Sequence, residues 1–526
     1  MRILTHPAML ALGAATIWLL VLIAPLVSPY HTASYHLIGS PLSIFVPVLI
    51  ILCLVWFAFA ILLWFARKPG WIQTIVWSSL IVLLSLWLLK DWALLTAGAI
   101  PHWLQTLGLL SPIIIFLGIV IARRFPAAFD KVHTFVTLLL GFASLSAIII
   151  VCQLLWFTWR ARGLNTPQAL HQRVATIEHP KKPKIIWLIL DELSYQQVYE
   201  QRFAGLNLPE LDQLARGSTV FTHVVPAGGA TEIIVPSIMT GMAADQIQVS
   251  ADGRQLFLHE SLKKHWKLFD SHQTVFQDAL DAGYVTGIAG WFNPYCRIMS
   301  QVTDSCFWTN HVNFAGGMFP GQSIAWNTAQ FAIIHFDNVL SGLGMLTRPR
   351  QTLLEDKRFH QLDYNDLNDA ADKLLMNRYA DFIFLHMPVP HQVGIYDRKN
   401  ATFTNGSSSY IDNLALADRY LAHLRFILEQ QGEWDSSVVI VMGDHSWRTK
   451  SLWARTDAWT REDESASHGA QFDDRPAYIV KLPNQHQSVR IDDRFAAIRT
   501  RALLDGIMTN RIKTPQDLAT WVRQQN

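Results

Sequence analysis

Five long apolar stretches in the first 159 residues constrain this chain more than any other feature. They run over residues 9–28, 42–66, 71–97, 104–122 and 134–159. Each is long enough to cross a hydrocarbon layer of roughly 30 Å as a helix. Lipid offers the backbone no hydrogen-bond partner, so each stretch is expected to be helical. The third is interrupted near one end by Lys90 and Asp91. Arg2, Arg67 with Lys68, and the group Arg123, Arg124 and Lys131 all fall on one side of such a bundle, whereas residues 29–41 carry no Lys or Arg. Basic loops mark the cytoplasmic side, which places the N-terminus inside and everything after residue 159 outside. A cleaved signal peptide is the competing reading of the first stretch, and the remaining basic loops then give the same placement.

The 526 residues include 43 Lys and Arg against 41 Asp and Glu, a balance that argues against a nucleic-acid binder. Apolar residues reach 51%, charged residues only 16%, and there are 20 Trp, as expected where part of a chain faces lipid. Cys53 and Cys152 lie in apolar stretches, and Cys296 and Cys306 are the only pair elsewhere. Outside the cytoplasm that pair is expected to form a disulfide. Residues 160–184, polar and basic with Pro167, Pro180 and Pro183, read as a connector.

From residue 185 short apolar runs alternate with amphipathic stretches: "IIWLIL" (185–190), "VTGIAG" (285–290), "DFIFL" (381–385), "SVVIVM" (437–442) and "AYIVKL" (477–482). This texture predicts an α/β domain, a mostly parallel sheet with helices on both faces. In such sheets ligands bind beyond the carboxyl ends of the strands. Three runs lead there into chemically useful groups: Asp191 and Glu192; "HMPVPH" from His386 to His391; and Gly443, Asp444 and His445. Thr231, in "AGGATEIIVPSIMTG", opens a helical pattern behind a glycine-rich turn. Singly, each has a plain reading: Thr231 as a helix cap, Asp191 as a turn residue, His386 as a core histidine. Together, acids and a histidine at strand ends suit a divalent metal, which would make a threonine hydroxyl a usable nucleophile.

These residues carry a resemblance to the sulfatase branch of the alkaline phosphatase superfamily. "IIWLILDE" resembles its opening strand with the metal-binding acid, "DALDAGYVTGIAGW" its "LKEAGYRTAxxGKW" stretch, and "WDSSVVIVMGDHS" its late strand with two metal ligands. Counting back from "IMTG", Thr231 falls on the nucleophile position, but "TEIIV" replaces the C/S-x-P-S-R element needed for formylglycine. Threonine there resembles the membrane-anchored phosphoethanolamine transferases and the lipoteichoic acid synthase-like phosphoglycerol transferases. "LHMPVPHQVGIYDR" (385–398) is similar to the histidine-rich stretch of the former.

The resemblance implies five membrane-spanning helices over residues 1–159, the connector 160–184 and an extracytoplasmic catalytic domain over 185–526. It implies that Asp191, Asp444 and His445 hold a divalent metal with Thr231, zinc first and manganese or calcium as alternatives, with Glu192 sharing duty with Asp191. Thr231 would form a phospho-enzyme, and His391 and His468 would bind phosphate or a second metal and move protons. His386, Tyr396 and Arg398 would contact substrate. The expected activity is transfer of phosphoethanolamine or phosphoglycerol from a phospholipid donor to a glycan or lipid acceptor outside a bacterial inner membrane. A hydrolase on the same fold and a non-catalytic membrane sensor are the alternatives.

Overall fold

The computed structural model describes residues 4–19, 35–36, 42–97, 100–160, 162–164, 182–250, 252–311, 323–342 and 350–524. Two compact units emerge, residues 1–164 with 314–352, and residues 165–313 with 353–526. The helix Ile324–Gly342 thus packs with the N-terminal helices, although a boundary drawn at 185 would give it to the C-terminal part. Most of the expected connector lies outside the described residues.

The first unit is helical. Leu42–Phe65, Trp71–Ala93 and Pro126–Arg160 are long and apolar enough to cross a membrane. His102–Leu109 and Ser111–Arg124 meet at 60° and make a fourth crossing if taken as one broken span. Pro112, in the first turn of the second helix, has no N–H to bond back to the preceding turn. Five crossings are therefore not what the described residues show. Within the first expected stretch the described helix is Pro7–Trp18, and its 12 residues span only about 18 Å. The rest of that stretch lies outside the described residues. Large apolar side chains such as Phe116, Ile121, Phe135, Phe142 and Ile149 point outward.

Small residues let the helices of this unit approach closely. A Cβ on Gly13 would collide with the carbonyl oxygen of Leu140, whereas one on Gly118 would meet only Ser78 Cβ at 3.9 Å. Gly13→Ala is expected to cost about 1–3 kcal/mol by overpacking, and Gly118→Ala close to nothing. Thermal unfolding of the two variants in the same detergent checks this.

The second unit is built on one eight-stranded sheet. Its order is Val489–Ile491, Thr219–Phe221, Tyr478–Lys481, Val438–Met442, Ile185–Leu190, Phe382–Met387, Thr286–Trp291 and Ser305–Thr309. Only Tyr478–Lys481 runs against its neighbours. The central strand sends Ile186, Leu188 and Leu190 into one core, against the helices Pro209–Arg216 and Tyr410–Gln430. Ile185, Trp187 and Ile189 enter the other, against Thr231–Thr240, Val275–Asp281 and Thr500–Met508. Burial on both faces is why these strands read as unbroken apolar runs. Cys296 and Cys306 are joined, tying the short helix Tyr295–Ile298 to the strand Ser305–Thr309.

Candidate active site

Ile185–Leu190 and Val438–Met442 are parallel neighbours, so Asp191 leaves the sheet beside Asp444 and His445. Gly443 lets the second exit fold inward, since a Cβ there would stand 2.6 Å from the Leu193 carbonyl oxygen. Asp191, Asp444 and His445 are all buried and each offers a ligand atom within 4.8 Å of the others. Thr231 is the first residue of its helix, whose N-cap is Ala230. Its hydroxyl is therefore not a cap, as the plain reading of the sequence had it. Instead Thr231 Oγ1 lies 2.8 Å from Asp444 Oδ2 and 3.3 Å from Asp191 Oδ2.

One hydroxyl proton cannot satisfy two carboxylates, and the electrostatics reflect the conflict. Burial, reinforced by Asp444, pushes the Asp191 carboxyl well above its ordinary value. Burial opposes ionisation of Asp444 as well, yet His445 and His386 hold it low. His445 is disfavoured as a cation by burial, but Asp444 carries it above its ordinary value. His445 Nδ1 donates to the Ser446 carbonyl at 2.9 Å, which directs Nε2 toward the acids. That Nε2 and Asp191 Oδ1 have no hydrogen-bond partner. Two buried carboxylates, an imidazole nitrogen and a hydroxyl, with two atoms orphaned, fit a divalent cation better than any proton arrangement among them.

A family model described as Sulfatase matches residues 183–480, more than half of the chain. The chain belongs to the sulfatase family. No match was found among curated proteins. Among solved structures this sulfatase-family chain is similar to the PsFucS1 sulfatase from Pseudoalteromonas sp., at 11% identity and TM-score 0.40 over 67% of this chain and 71% of that one. It is similar to the phosphonate monoester hydrolase of Agrobacterium radiobacter, at 12% identity and TM-score 0.37 over 62% and 74%. It is also similar to the lipoteichoic acid synthase LtaP from Listeria monocytogenes, at 13% identity and TM-score 0.37 over 68% and 79%.

The strand Phe382–Met387 continues two residues past the run expected from the sequence, so His386 of this sulfatase-family domain lies inside it. His386 Nε2 is 3.2 Å from Asp191 Oδ2 and Nδ1 is 2.9 Å from the Tyr295 hydroxyl. It orients an acid of the cluster. His386→Gln is expected to weaken divalent-metal affinity about 10–100-fold without removing a ligand, a change that metal titration by calorimetry reads directly.

Glu192 does not join Asp191. Its backbone is left-handed at φ 65, and its buried carboxylate turns to Trp453 Nε1 at 2.8 Å and Arg448 Nε at 3.0 Å. Sequence reasoning missed both partners, because Arg448 stands in a loop and Trp453 opens the single 3-10 turn Trp453–Arg455, neither with a period or motif of its own. His391 Nδ1 donates to the Gln392 carbonyl at 2.9 Å, and its ring sits edge-on to Trp291 and Trp453. Burial holds this imidazole well below its ordinary value, leaving a neutral ring with Nε2 as the basic nitrogen. His468 is exposed in the turn after Arg461–Ala466, outside the cluster. Tyr396 is buried in a small two-stranded ribbon. Arg398 is engaged by Asp412 at 2.6 Å and Glu462 at 2.7 Å, a pairing that holds the loop.

Proposed function

We propose that this protein is a metal-dependent transferase. It moves phosphoethanolamine or phosphoglycerol from a phospholipid to a glycan or lipid acceptor through a phosphothreonine at Thr231. The observation that carries this reading is the Thr231 hydroxyl, buried at a helix N-terminus and hydrogen-bonded toward the Asp191–Asp444 pair, in a family member that lacks the formylglycine signal. Helices of membrane length in the same chain favour a donor held in lipid. The domain then faces outward from a bacterial inner membrane, as the basic loops predict.

Asp191, Asp444, His445 and Thr231 would hold the cation, zinc by its donor set, which when bound lowers the hydroxyl pKa and offsets phosphoryl charge. Thr231 Oγ1 forms a bond to phosphorus as the bond to the diacylglycerol oxygen breaks. The hydroxyl proton ends on the released diacylglycerol. In the second displacement the acceptor hydroxyl attacks phosphorus as the bond to Thr231 Oγ1 breaks, its proton returns to Thr231, and Nε2 of His391 would be the basic nitrogen that carries protons. Unpaired N–H groups at the start of Thr231–Thr240 favour the anion in both steps.

Incubating the full-length protein with headgroup-labelled phospholipid, with and without lipid-linked glycan acceptor, tests the reading. Label on the acceptor is the expected result. Free headgroup phosphate at equal rates in both arms would make the protein a hydrolase.

A further inference from the structure

The helical unit carries a polar cluster that the reaction at Thr231 does not use. Lys90 and Asp91 are the only Asp, Glu, Lys or Arg between Lys68 and Arg123. Lys90 lies nineteen residues beyond Trp71, about 28 Å along the helix from the end that follows the basic pair Arg67 and Lys68. A cation at that end runs against the usual distribution of basic residues, and ionised groups within a span are costly enough to mark function. Both side chains are sealed from solvent, at 3% and 2% exposure.

The neighbours are polar as well. Lys90 Nζ is 3.1 Å from Asp91 Oδ1 and 3.2 Å from the centre of the Trp87 ring. Trp87 stacks on Trp18 at 4.2 Å. The Trp18 indole N–H donates to His335 Nε2 at 2.7 Å. His335 comes from the helix Ile324–Gly342, a segment inside the sulfatase match that packs in this unit. Because His335 Nε2 accepts that bond, the neutral ring carries its proton on Nδ1.

Among the described residues the polar groups of this cluster are not all paired. Trp87 Nε1, His335 Nδ1 and Asp91 Oδ2 are buried with no hydrogen-bond partner, while Asp91 Oδ1 meets the Lys90 ammonium at 3.1 Å. Three donors (the Lys90 ammonium, the Trp87 indole N–H and the His335 Nδ1–H) and one carboxylate thus share a cluster in which Trp87 lies against both Lys90 and His335. Buried groups of this kind are normally bonded to something. A phosphodiester accepts from all three donors, and an adjacent amine or hydroxyl donates to the carboxylate.

We propose that Trp87, Lys90, Asp91 and His335 bind the headgroup of a phospholipid, phosphodiester on the donors and amine or hydroxyl on Asp91. The inference stands apart from the phosphothreonine, since it requires a lipid headgroup and no chemistry.

The test uses the full-length protein reconstituted with phosphatidylethanolamine and phosphatidylglycerol, washed in detergent and weighed intact with its retained lipid. Wild type and Thr231→Ala are expected to retain lipid equally. Lys90→Met with Asp91→Asn removes both charges together, so no unpaired charge is left to unfold the helices, and is expected to lower occupancy about tenfold or more. Trp87→Phe, which deletes only the N–H, is expected to lower it less, and decides the matter if the double variant does not fold. Soluble glycerophosphoethanolamine should displace the lipid where inorganic phosphate at the same concentration does not. Equal retention by wild type and the charge variant, or no retention by wild type, would overturn the proposal. Displacement by inorganic phosphate alone would make this a bare phosphate site and overturn it also. Loss of lipid in Thr231→Ala would place the retained lipid at the catalytic threonine, overturning this inference while leaving the transferase reading intact.

Discussion

Thr231→Ala is expected to lower turnover at least about 1000-fold while leaving the fold in place and lowering divalent-metal affinity far less, because three of the four proposed ligands remain. The methyl and hydroxyl removed are small, the helix keeps Ala230 as its N-cap, and Asp191, Asp444 and His445 keep their positions at the strand ends. Thr231→Ser keeps the oxygen and should retain measurable transfer. Parallel measurement of steady-state transfer and metal content separates this outcome from collapse of the site. A Thr231→Ala protein that still transferred headgroups at a tenth of the wild-type rate would remove the nucleophile from the mechanism.

Asp444→Asn should have the second largest effect, because Asp444 serves three partners. Its Oδ2 faces the Thr231 hydroxyl at 2.8 Å and His445 Nε2 at 3.3 Å, and its Oδ1 accepts the Glu192 backbone N–H at 3.1 Å. Losing the charge leaves a weaker ligand and a threonine without its partner. Metal affinity is expected to fall at least about 100-fold, beyond the effect of replacing an orienting residue.

The same site gives a pH dependence. Asp191 and His445 are both held above their ordinary values, so each binds its proton more tightly than in a free chain. A cation has to displace those protons. Affinity should rise with pH across the range where these groups titrate and level off once both are deprotonated. Calorimetric titration at several pH values checks the sign, and affinity that increased on acidification would contradict the ligand set.

The sequence made the strand-end acids legible because parallel strands deliver their carboxyl ends to one edge. Asp191 and Asp444 leave neighbouring strands, and that adjacency follows from strand order rather than from any motif. Other parts were not legible. Glu192 follows Asp191 directly, yet a left-handed backbone turns it toward Arg448 and Trp453, and nothing in its type or spacing announces that turn. His386 reads as a loop residue only if the strand ends at Leu385, whereas pairing with Ile185–Leu190 continues through Met387. Arg398 resembles a substrate-binding position, but Asp412 and Glu462 take its charge from elements far along the chain. The helix Ile324–Gly342 sits inside the apparent catalytic domain by sequence and packs with the N-terminal helices in space. Hydropathy counts residues along one helix and cannot report which unit a helix joins.

Thr231 as a covalent phosphoryl carrier is the central claim, and the mass of the Thr231 peptide tests it most directly. Full-length protein incubated with phospholipid and divalent metal, quenched in acid and digested, is expected to carry phosphoethanolamine or phosphoglycerol on Thr231, absent from Thr231→Ala. An unmodified Thr231 peptide under conditions where headgroup transfer is running would contradict the account.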